Sequence, residues 1–404
     1  MALLPVAEAR KLVLADAKPL PVEQVPLAEA CCRILASDLA AQRSQPPADV
    51  SAMDGYAVRA ADVATMPARL HVIGEVAAGR PFEREVQAGE AARIFTGGVI
   101  PAGADTVVIQ EMTKRDGDAV IIERGDSSGR NIRRKGLDFS AGEVALAAGR
   151  RLGPRQLALA AAMNHAGVPV HRRPRVAILA TGDELVPPGS APGPGQIVHS
   201  NGFALMAIVR AEGAEVLDLG IVPDRLDATV AAVRRAREER TDVLVTTGGA
   251  SVGDYDFVRK ALATEGMALS FWKVAMRPGR PLMHGRLDGM QVLGLPGNPV
   301  SSFVCAILFL VPLLRILAGR SDIAPPIEEA VLGSALPQND ERADYLRAVL
   351  TRRPEDGVRI ATAFPKQDSS MLLSLADADC LIVREPFAPA AEAGSACAIL
   401  DLGF

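Results

Sequence analysis

The sequence predicts a multidomain protein that combines α/β and β domains, and three features support this prediction. At 404 residues the chain is too long for one ordinary core. Strand and helix patterns alternate from Arg175 to about Val300, which indicates right-handed crossovers and an open, mostly parallel sheet. Short strand patterns separated by turn residues lie on both sides of that region.

The N-terminal half contains two kinds of pattern. Residues Pro5 to Leu39 predict a helix, a loop and a second helix. After Pro46-Pro47 short strands alternate with turns such as Asp54-Gly55, which predicts a β-rich module. Leucine and alanine at helical spacing return from Gly153 to Gly167, so we expect the chain to leave the module before that point.

The α/β region is predicted from four apolar strand patterns with helical patterns between them. Its longest apolar run, Phe303 to Leu314, is shorter than the ~20 residues that a membrane span needs. We therefore interpret this run as a buried core helix. Pro325-Pro326 marks a linker, and the short strand patterns after it predict a C-terminal β domain. The four strand patterns of the α/β region are 175–180, 215–221, 242–246 and 291–295.

Composition limits the partners and the compartment. A net charge of −4 gives no general attraction to nucleic acid or to an anionic membrane, so we expect neither as a partner. Any bound anion must then be held by a local site. Five cysteines without a CxxC pair argue against a disulfide framework or a cysteine-held metal. Together with the lack of a signal-peptide pattern, this cysteine usage predicts a cytoplasmic protein.

Three predicted strands end in loops that suit an anionic ligand. Ligands of open parallel sheets bind beyond the carboxyl ends of the strands, and glycines let backbone N–H groups approach an anion closely. Each loop alone could be an ordinary turn, but three on one edge favour a ligand site. The candidate binding residues in these loops are Thr181, Gly182, Thr247, Gly248, Gly249, Ser251, Pro296, Gly297 and Asn298.

Charged residues near these loops predict a cation site and an anion clamp. Glu184 and Asp254 would repel a phosphate unless a cation such as Mg²⁺ lay between them. Asp183 is assigned to helix capping, and Asp254 could also be a cap. Lys273, Arg277 and Arg280 surround a Pro-Gly turn that could aim both arginines at one anion, although a solvated hairpin would contain the same residues.

Five motifs, taken in order, resemble the bacterial MoeA proteins and the C-terminal part of gephyrin, and the resemblance covers nearly the whole chain. They are SAMDGYA at 51–57, FTG at 95–97, TGDEL at 181–185, TGGASVGD at 247–254 and GLPGNPVS at 294–301. The resemblance implies insertion of molybdate into adenylylated molybdopterin, with release of AMP and the help of Mg²⁺ or another divalent cation. An adenylyltransferase and a non-catalytic molybdopterin-binding scaffold are the alternatives.

The resemblance also implies a fold and an assembly. An elongated helical and β domain (1–45 and 140–173) would be split by the inserted β-rich module (46–139). The α/β molybdopterin-binding domain (174–324) and a β barrel-like C-terminal domain (325–404) would follow. Family members are dimers whose cleft faces the α/β domain of one subunit with the module of the other. Contacts with a molybdopterin adenylyltransferase or a molybdoenzyme are further expectations.

Matched positions imply the roles of individual residues. Local sequence gives Asp54 and Thr96 only turn and loop roles, whereas the resemblance places both at the dimer cleft. Arginine stands at 277 and 280 where the family usually has lysine, which keeps the charge but removes a titratable amine. The implied catalytic residues are Asp54, Thr96, Glu184, Lys273 and Arg277; the metal ligands are Asp54, Glu184, Asp254 and Asp138; further binding residues are Asp224, Arg280, Arg347 and Ser369.

Overall fold

The structure is a computed structural model that describes residues 3–80, 82–248 and 257–403. Elements are numbered in chain order. The chain begins with α1 (Val6–Leu14), β1 (Val22–Pro26) and β2 (Leu39–Ala40). The inserted strands are β3 (Val50–Ser51), β4 (Gly55–Val58), β5 (Ala68–Val76), β6 (Glu90–Ile94), β7 (Thr106–Ile109), β8 (Thr113–Asp116), β9 (Ala119–Ile122) and β10 (Ile132–Arg133). The next three elements are β11 (Val144–Leu146), α2 (Pro154–Ala162) and β12 (Gly167–His171).

The second half of the chain contains the α/β region and the C-terminal strands. The α/β region consists of β13 (Arg175–Thr181), β14 (Leu185–Val186), β15 (Ile197–Val198), α3 (Asn201–Ala211), β16 (Glu215–Val222), α4 (Leu226–Glu238), β17 (Val243–Thr247), α5 (Phe257–Thr264), β18 (Ala268–Trp272), β19 (Met276–Arg277), β20 (Met283–Leu287), β21 (Met290–Leu295), α6 (Pro299–Cys305) and α7 (Val311–Leu317). The C-terminal elements are β22 (Ile327–Leu332), β23 (Ala343–Arg352), β24 (Arg359–Ala363), α8 (Leu372–Ala376), β25 (Cys380–Arg384) and β26 (Ala396–Asp401).

The first region is built from two distant stretches of chain. Strand β1 pairs antiparallel with β12, and β2 pairs with β11, so the strands between them form an insertion. The second helix predicted before Leu39 is wrong. Residues Val22–Pro26 form a strand instead, because pairing with a distant partner outweighs local helix propensity. Short 3-10 turns lie at Leu27–Glu29, Ala60–Val63 and Gln110–Met112.

The inserted module is a six-stranded sheet with the order β7-β4-β6-β5-β9-β8. Strand β4, which is buried along its whole length, follows the Asp54-Gly55 turn and lies between β6 and β7. This pairing places the loop after β6, which carries Thr96, next to the start of β4. The sheet thereby brings together two motifs that lie about 40 residues apart in the sequence.

The α/β sheet has the order β16-β13-β17-β21-β20-β18, with the first four strands parallel and the last two antiparallel. Strands β17 and β21 are buried on both faces, which explains why their sequences are mostly apolar. From β13 the chain adds β16 on one side and then β17 on the other. The carboxyl ends of β13 and β17 therefore form a topological switch point, where such folds bind ligands.

The apolar helical segment after β21 forms part of the core. Helix α6, a π-helical stretch (Ala306–Leu310) and α7 form one 19-residue helix that is long and apolar enough to cross a membrane by length and composition. The apolar run at 303–314 therefore predicted a helix shorter than the one observed. However, 83% of its most apolar window is buried inside the fold, which confirms the interpretation as a core helix.

The C-terminal strands close into a barrel. Their order is β23-β24-β22-β26-β25, and β25 pairs back onto β23, so the five strands form a closed ring. Strand β19 adds to β23 in parallel, which joins the α/β region to the barrel. The predicted combination of an open α/β sheet, a β-rich module and a barrel-like C-terminal domain is confirmed, while the exact domain boundaries remain predictions.

Candidate functional site

The three loops identified in the sequence border one cavity of about 570 Å³ at the carboxyl edge of the α/β sheet. Helix α6 starts at Pro299 on the rim of this cavity, so its N-terminal dipole also favours an anion there. The structure thus brings seven predicted binding or catalytic residues to one place. They are Thr181, Glu184, Thr247, Gly248, Pro296, Gly297 and Asn298.

Close backbone packing explains why two of these loops contain glycine. Gly248 has φ +86°, and a Cβ at this position would lie 2.5 Å from the carbonyl oxygen of Thr181. Gly182 has φ +153°, and its Cβ would lie 2.6 Å from a carboxylate oxygen of Glu184. A side chain at Gly248 would push its loop away from the end of β13, whereas one at Gly182 would displace the Glu184 carboxylate and strain the backbone.

The cavity contains a hydroxyl group that lacks a partner within the protein. Thr181 ends β13, is 4% exposed, and its Oγ1 has no hydrogen-bond partner among the described residues. A buried hydroxyl without a partner costs about 1–3 kcal/mol. Thr181 also lines the cavity, so this buried hydroxyl without a partner lies at its wall.

Three acids lie together where β13 and β16 end. The backbone N–H of Asp224 donates to Oδ1 of Asp183 at 3.0 Å. Burial raises the pKa of Asp224 above its usual value, and the nearby charges of Asp183 and Glu184 add to the rise. No helix begins after Asp183, because β14 follows it, so the capping role predicted for this residue is wrong.

This acidic group fits a magnesium ion only with help from the ligand. Within residues 3–80, 82–248 and 257–403, no group of three or more His, Cys, Asp and Glu side chains is arranged to hold a metal. Mg²⁺ is, however, commonly held by one or two carboxylates together with substrate phosphates. The hard oxygens of Glu184 and Asp224 match that mode of binding.

The three predicted cationic residues occupy different environments. Lys273 has φ +91°, and its Nζ lies 4.6 Å from the centre of the Trp272 ring. Arg280 is exposed and makes no ion pair with any residue that the structure describes, and the next residue, Pro281, lines the cavity. Arg277 does not line it.

The expectation that Arg277 and Arg280 are aimed at one anion is wrong on this geometry. Arg277 binds Asp344 with two parallel hydrogen bonds, of which the bond from Nε to Oδ1 measures 2.8 Å. Asp344 and Asp340 raise the pKa of Arg277 further above its already high value. A planar guanidinium prefers this two-point contact with a carboxylate. Arg277 instead borders a second cavity of about 540 Å³ on the barrel.

Arg347 is also placed differently from its predicted role. It is 1% exposed, and its N–H groups donate to Gln367, Met371, Ser374, Lys366 and Asp368. All five donors of the guanidinium are therefore engaged within the barrel. Arg347 holds the loop at 366–371 rather than lining the cavity.

The loop held by Arg347 reaches the cavity through two serines. Ser369 accepts a 2.9 Å hydrogen bond from Nδ2 of Asn298, and its carbonyl oxygen accepts one of 3.0 Å from the N–H of Val300. Ser370 lines the cavity itself. The C-terminal barrel is therefore connected by hydrogen bonds to the loop that starts α6.

Asp54 and Thr96 form a separate pair in the inserted module. The backbone N–H and the hydroxyl of Thr96 both donate to Oδ1 of Asp54 at 2.8 Å. These bonds, and the nearby positive charge of Arg93, hold the pKa of Asp54 below its usual value. Neither residue lines the cavity of its own chain, and exposed Asp138 does not line it either.

Some predicted residues lie outside the described part of the chain, and some lining residues were missed. Gly249, Ser251 and Asp254 fall outside the described residues. The cavity also involves Asn201, whose side-chain N–H donates to the carbonyl of Gly297 at 2.7 Å. Its position in the helical pattern between the predicted strands at 175–180 and 215–221 was the signal that could have identified it. His199, Pro281 and Ser370, which also line the cavity, carried no such signal.

Comparisons with known proteins cover almost the whole chain. Residues 4–164 match the MoeA N-terminal region (domains I and II), residues 177–316 a probable molybdopterin binding domain, and residues 329–402 the MoeA C-terminal region (domain IV). The chain is 35% identical over 369 residues to the molybdopterin molybdenumtransferase of Haemophilus influenzae, covering 91% of this chain and 90% of that protein. It is 37% identical over 388 residues to that of Bacillus subtilis, covering 94% and 90%.

A solved structure shows the same fold along the full length. The crystal structure of the molybdopterin biosynthesis MoeA protein from Pyrococcus horikosii has a TM-score of 0.85 at 31% identity and covers 100% of both chains. The fold and the cavity define a multidomain α/β and β protein with a cavity at the carboxyl edge of its open sheet. With relatives at this identity and coverage, the chain belongs to the molybdopterin molybdenumtransferase (MoeA) family.

Proposed function

We propose that this protein inserts molybdate into adenylylated molybdopterin and releases AMP. Its family membership makes it a transferase of molybdenum cofactor biosynthesis. The observation that carries the specific reaction is the single cavity bordered by the ends of β13, β17 and β21. Glycine backbones, the Thr181 hydroxyl and the start of α6 supply the donors that a phosphorylated ligand needs there.

The protein's own residues act by binding and orientation. Thr181, Thr247 and the loop at Pro296–Asn298 hold the phosphate-bearing part of the ligand, and Arg280 and Lys273 add positive charge near the rim. Fixing two anions in one geometry removes much of the entropic barrier to their reaction. When a divalent cation is bound, it offsets negative charge as AMP departs. Glu184 and Asp224 would hold such a cation together with ligand oxygens.

A homodimer completes the site in this proposal. Asp54 and Thr96 lie outside the cavity of their own chain, yet they form an ordered acid–hydroxyl pair at an accessible strand end. We infer that the module of one subunit presents this pair to the cavity of the other, where it positions molybdate. The chain would act in the cytoplasm, where reduced cysteines persist. Contact with a molybdopterin adenylyltransferase would allow direct transfer of the ligand.

The direct test supplies purified protein with adenylylated molybdopterin, molybdate and Mg²⁺. We expect stoichiometric AMP and molybdenum cofactor. ATP consumption with adenylylated product would favour an adenylyltransferase, and ligand binding without product would favour a scaffold. Either outcome contradicts the proposal. Replacement of Asp54 by alanine should abolish insertion while the protein still folds, and wild-type rates in that variant would refute the role of Asp54.

A matched pair of variants tests the cavity itself. Thr181→Val removes the hydroxyl that faces the ligand while keeping the shape of the side chain. Thr246→Val removes another buried hydroxyl without a partner, one residue from the end of β17 and outside the cavity lining. A hydrogen bond to a charged group contributes about 1.5–3 kcal/mol, so Thr181→Val should weaken AMP binding roughly 10- to 150-fold. Thr246→Val should leave it unchanged, and equal effects of both variants would contradict the site.

A further inference from the structure

The neighbouring cysteines Cys31 and Cys32 occupy the two central positions of a tight turn. The N–H of Arg33 donates to the carbonyl of Ala30 at 3.1 Å, which closes the turn around them. Cys32 has φ +62°, in the left-handed region that glycine normally occupies at this position of a turn. A cysteine here keeps a conformation that is unfavourable for its own backbone.

The turn places both sulfur atoms on the same side of the chain. Successive side chains of an extended strand point to opposite faces, so neighbouring cysteines usually hold their sulfurs apart. Here the two Sγ atoms lie 3.8 Å from each other. Cys31 is exposed and Cys32 is half-buried, so small reagents can reach the pair.

Two arginines favour the thiolate form of one of the two cysteines. Burial acts to raise the pKa of Cys32, but hydrogen bonds from Arg151 and Cys31 and the charge of Arg173 bring it below its usual value. The hydrogen bond to Cys32 and the nearby negative charge raise the pKa of Cys31. The pair therefore places a thiol with a lowered pKa next to a second thiol 3.8 Å away, which is the arrangement of an attacking and a resolving cysteine.

The turn lies where the first region meets the α/β region, and hydrogen bonds connect it and the two neighbouring arginines to both regions. The N–H of Cys32 donates to the carbonyl of Leu152 at 2.8 Å. Arg151 and Arg173 donate to the carbonyls of Ala211 and Gly213 at the end of α3, at 3.2 and 2.9 Å. Helix α3 begins at the ligand cavity, so the cysteine pair lies about one helix length, roughly 16 Å, from it.

We propose that Cys31 and Cys32 form a reversible thiol–disulfide site that reacts with small-molecule disulfides. The thiolate of Cys32 attacks one sulfur of the reagent; a mixed disulfide forms and one thiolate leaves with the electron pair. Cys31 then loses its proton to solvent and attacks the sulfur of Cys32, so that the second thiolate leaves. Two protein thiols are oxidised and one small disulfide is reduced to two thiols.

The product is suited to reversal. Neighbouring Cα atoms lie about 3.8 Å apart, below the ~4.4–6.8 Å of ordinary disulfides, and such strained bridges are easily reduced. The remaining cysteines differ from this pair. Cys305 and Cys380 are buried, and burial raises the pKa of both thiols, while Cys397 is partly buried.

The test uses folded protein and oxidised glutathione, followed by thiol titration and mass spectrometry. The wild type should lose two of its five thiols, and the peptide that contains Cys31 and Cys32 should lose two hydrogen atoms. Cys31→Ser should retain glutathione on Cys32, and Cys32→Ser should react more slowly at Cys31. Disulfide-linked dimers, or equal rates in the two serine variants, would overturn the proposal.

A glycine variant separates the chemistry from the fold. Cys32→Gly suits the positive φ, so we expect a melting temperature equal to or above that of the wild type. This variant should form no intramolecular disulfide at the turn. If it loses as many thiols as the wild type, other cysteines react and the proposal fails.

Discussion

Replacing Arg347 by methionine tests whether a buried guanidinium in the barrel organises the edge of the ligand cavity. Methionine keeps much of the aliphatic volume but removes all five donors. The carbonyls of exposed Lys366 and Asp368 can then bond to water, so their loss costs little. The buried hydroxyl oxygen of Ser374 would lose its donor, whereas the carbonyl of Met371 would keep the 3.2 Å hydrogen bond that it accepts from that hydroxyl.

The expected magnitude follows from the Ser374 hydroxyl. A buried acceptor left without a donor costs about 1–3 kcal/mol, so the loop at 366–371 should lose about that much local stability. Every 1.4 kcal/mol is a factor of ten, so amide hydrogen exchange in this loop should accelerate roughly 5- to 140-fold. A local measurement is needed because a multidomain chain has no single unfolding free energy.

The assay is hydrogen exchange monitored by mass spectrometry, combined with AMP titration. Lys366→Met is the matched control, since it also introduces methionine but changes an exposed side chain of the loop that Arg347 holds. We expect faster exchange at 366–374 only in Arg347→Met, together with weaker AMP binding through Ser369 and Asn298. Unchanged exchange in both variants would refute the positioning role. Weaker binding with unchanged exchange would instead mean that Arg347 contacts the ligand directly.

Three further predictions test other parts of the site. Gly248→Ala should weaken AMP binding, measured by calorimetry, far more than Gly189→Ala, because both glycines have positive φ but only Gly248 would place a Cβ against backbone. Thr96→Val should raise the pKa of Asp54 towards its usual value, because it removes one of the two hydrogen bonds to the carboxylate. An NMR titration measures this pKa, with Thr113→Val as the control. An unchanged pKa would contradict the hydrogen-bond assignment. Because the folded pKa of Asp54 is depressed, the stability from this pair is present at neutral pH and lost as pH falls through that pKa. Asp344→Asn should lower the local stability where β19 joins β23 by about 1–2 kcal/mol, measured by hydrogen exchange of these strands; this value is discounted because Arg277 is half exposed. Unchanged exchange would mean that the ion pair is energetically neutral.

The sequence predicted the parts of the fold in which pattern and environment agree. Strands β13, β17 and β21 are buried on both faces, so their apolar runs identified both the strands and the edge at which their loops meet. The second N-terminal helix failed because β1 is defined by its partner β12, about 140 residues later, and no local pattern reports such a partner.

The candidate site was predictable in its backbone and less so in its side chains. Glycine positions such as Gly248 follow from close loop packing, and the sequence shows them directly. The destination of a long charged side chain does not follow from its neighbours. Arg347 and Arg277 both match positions that the family resemblance assigned to the ligand site, yet their guanidinium groups bind partners in the barrel that fold next to them from elsewhere in the chain.

The arginine at 277 gains a physical explanation from this placement. A lysine at that position would offer one compact charge, whereas arginine matches both oxygens of the nearly buried Asp344 and also reaches Asp340. The contact lies where β19 joins β23, so it links the α/β region to the barrel. In the proposed function, positive charge for the ligand then comes from Lys273 and from Arg280, whose guanidinium is not engaged by any described acid. The Pro-Gly turn therefore divides its two arginines between two tasks: Arg277 holds the barrel against the sheet, and Arg280 remains available at the rim of the cavity.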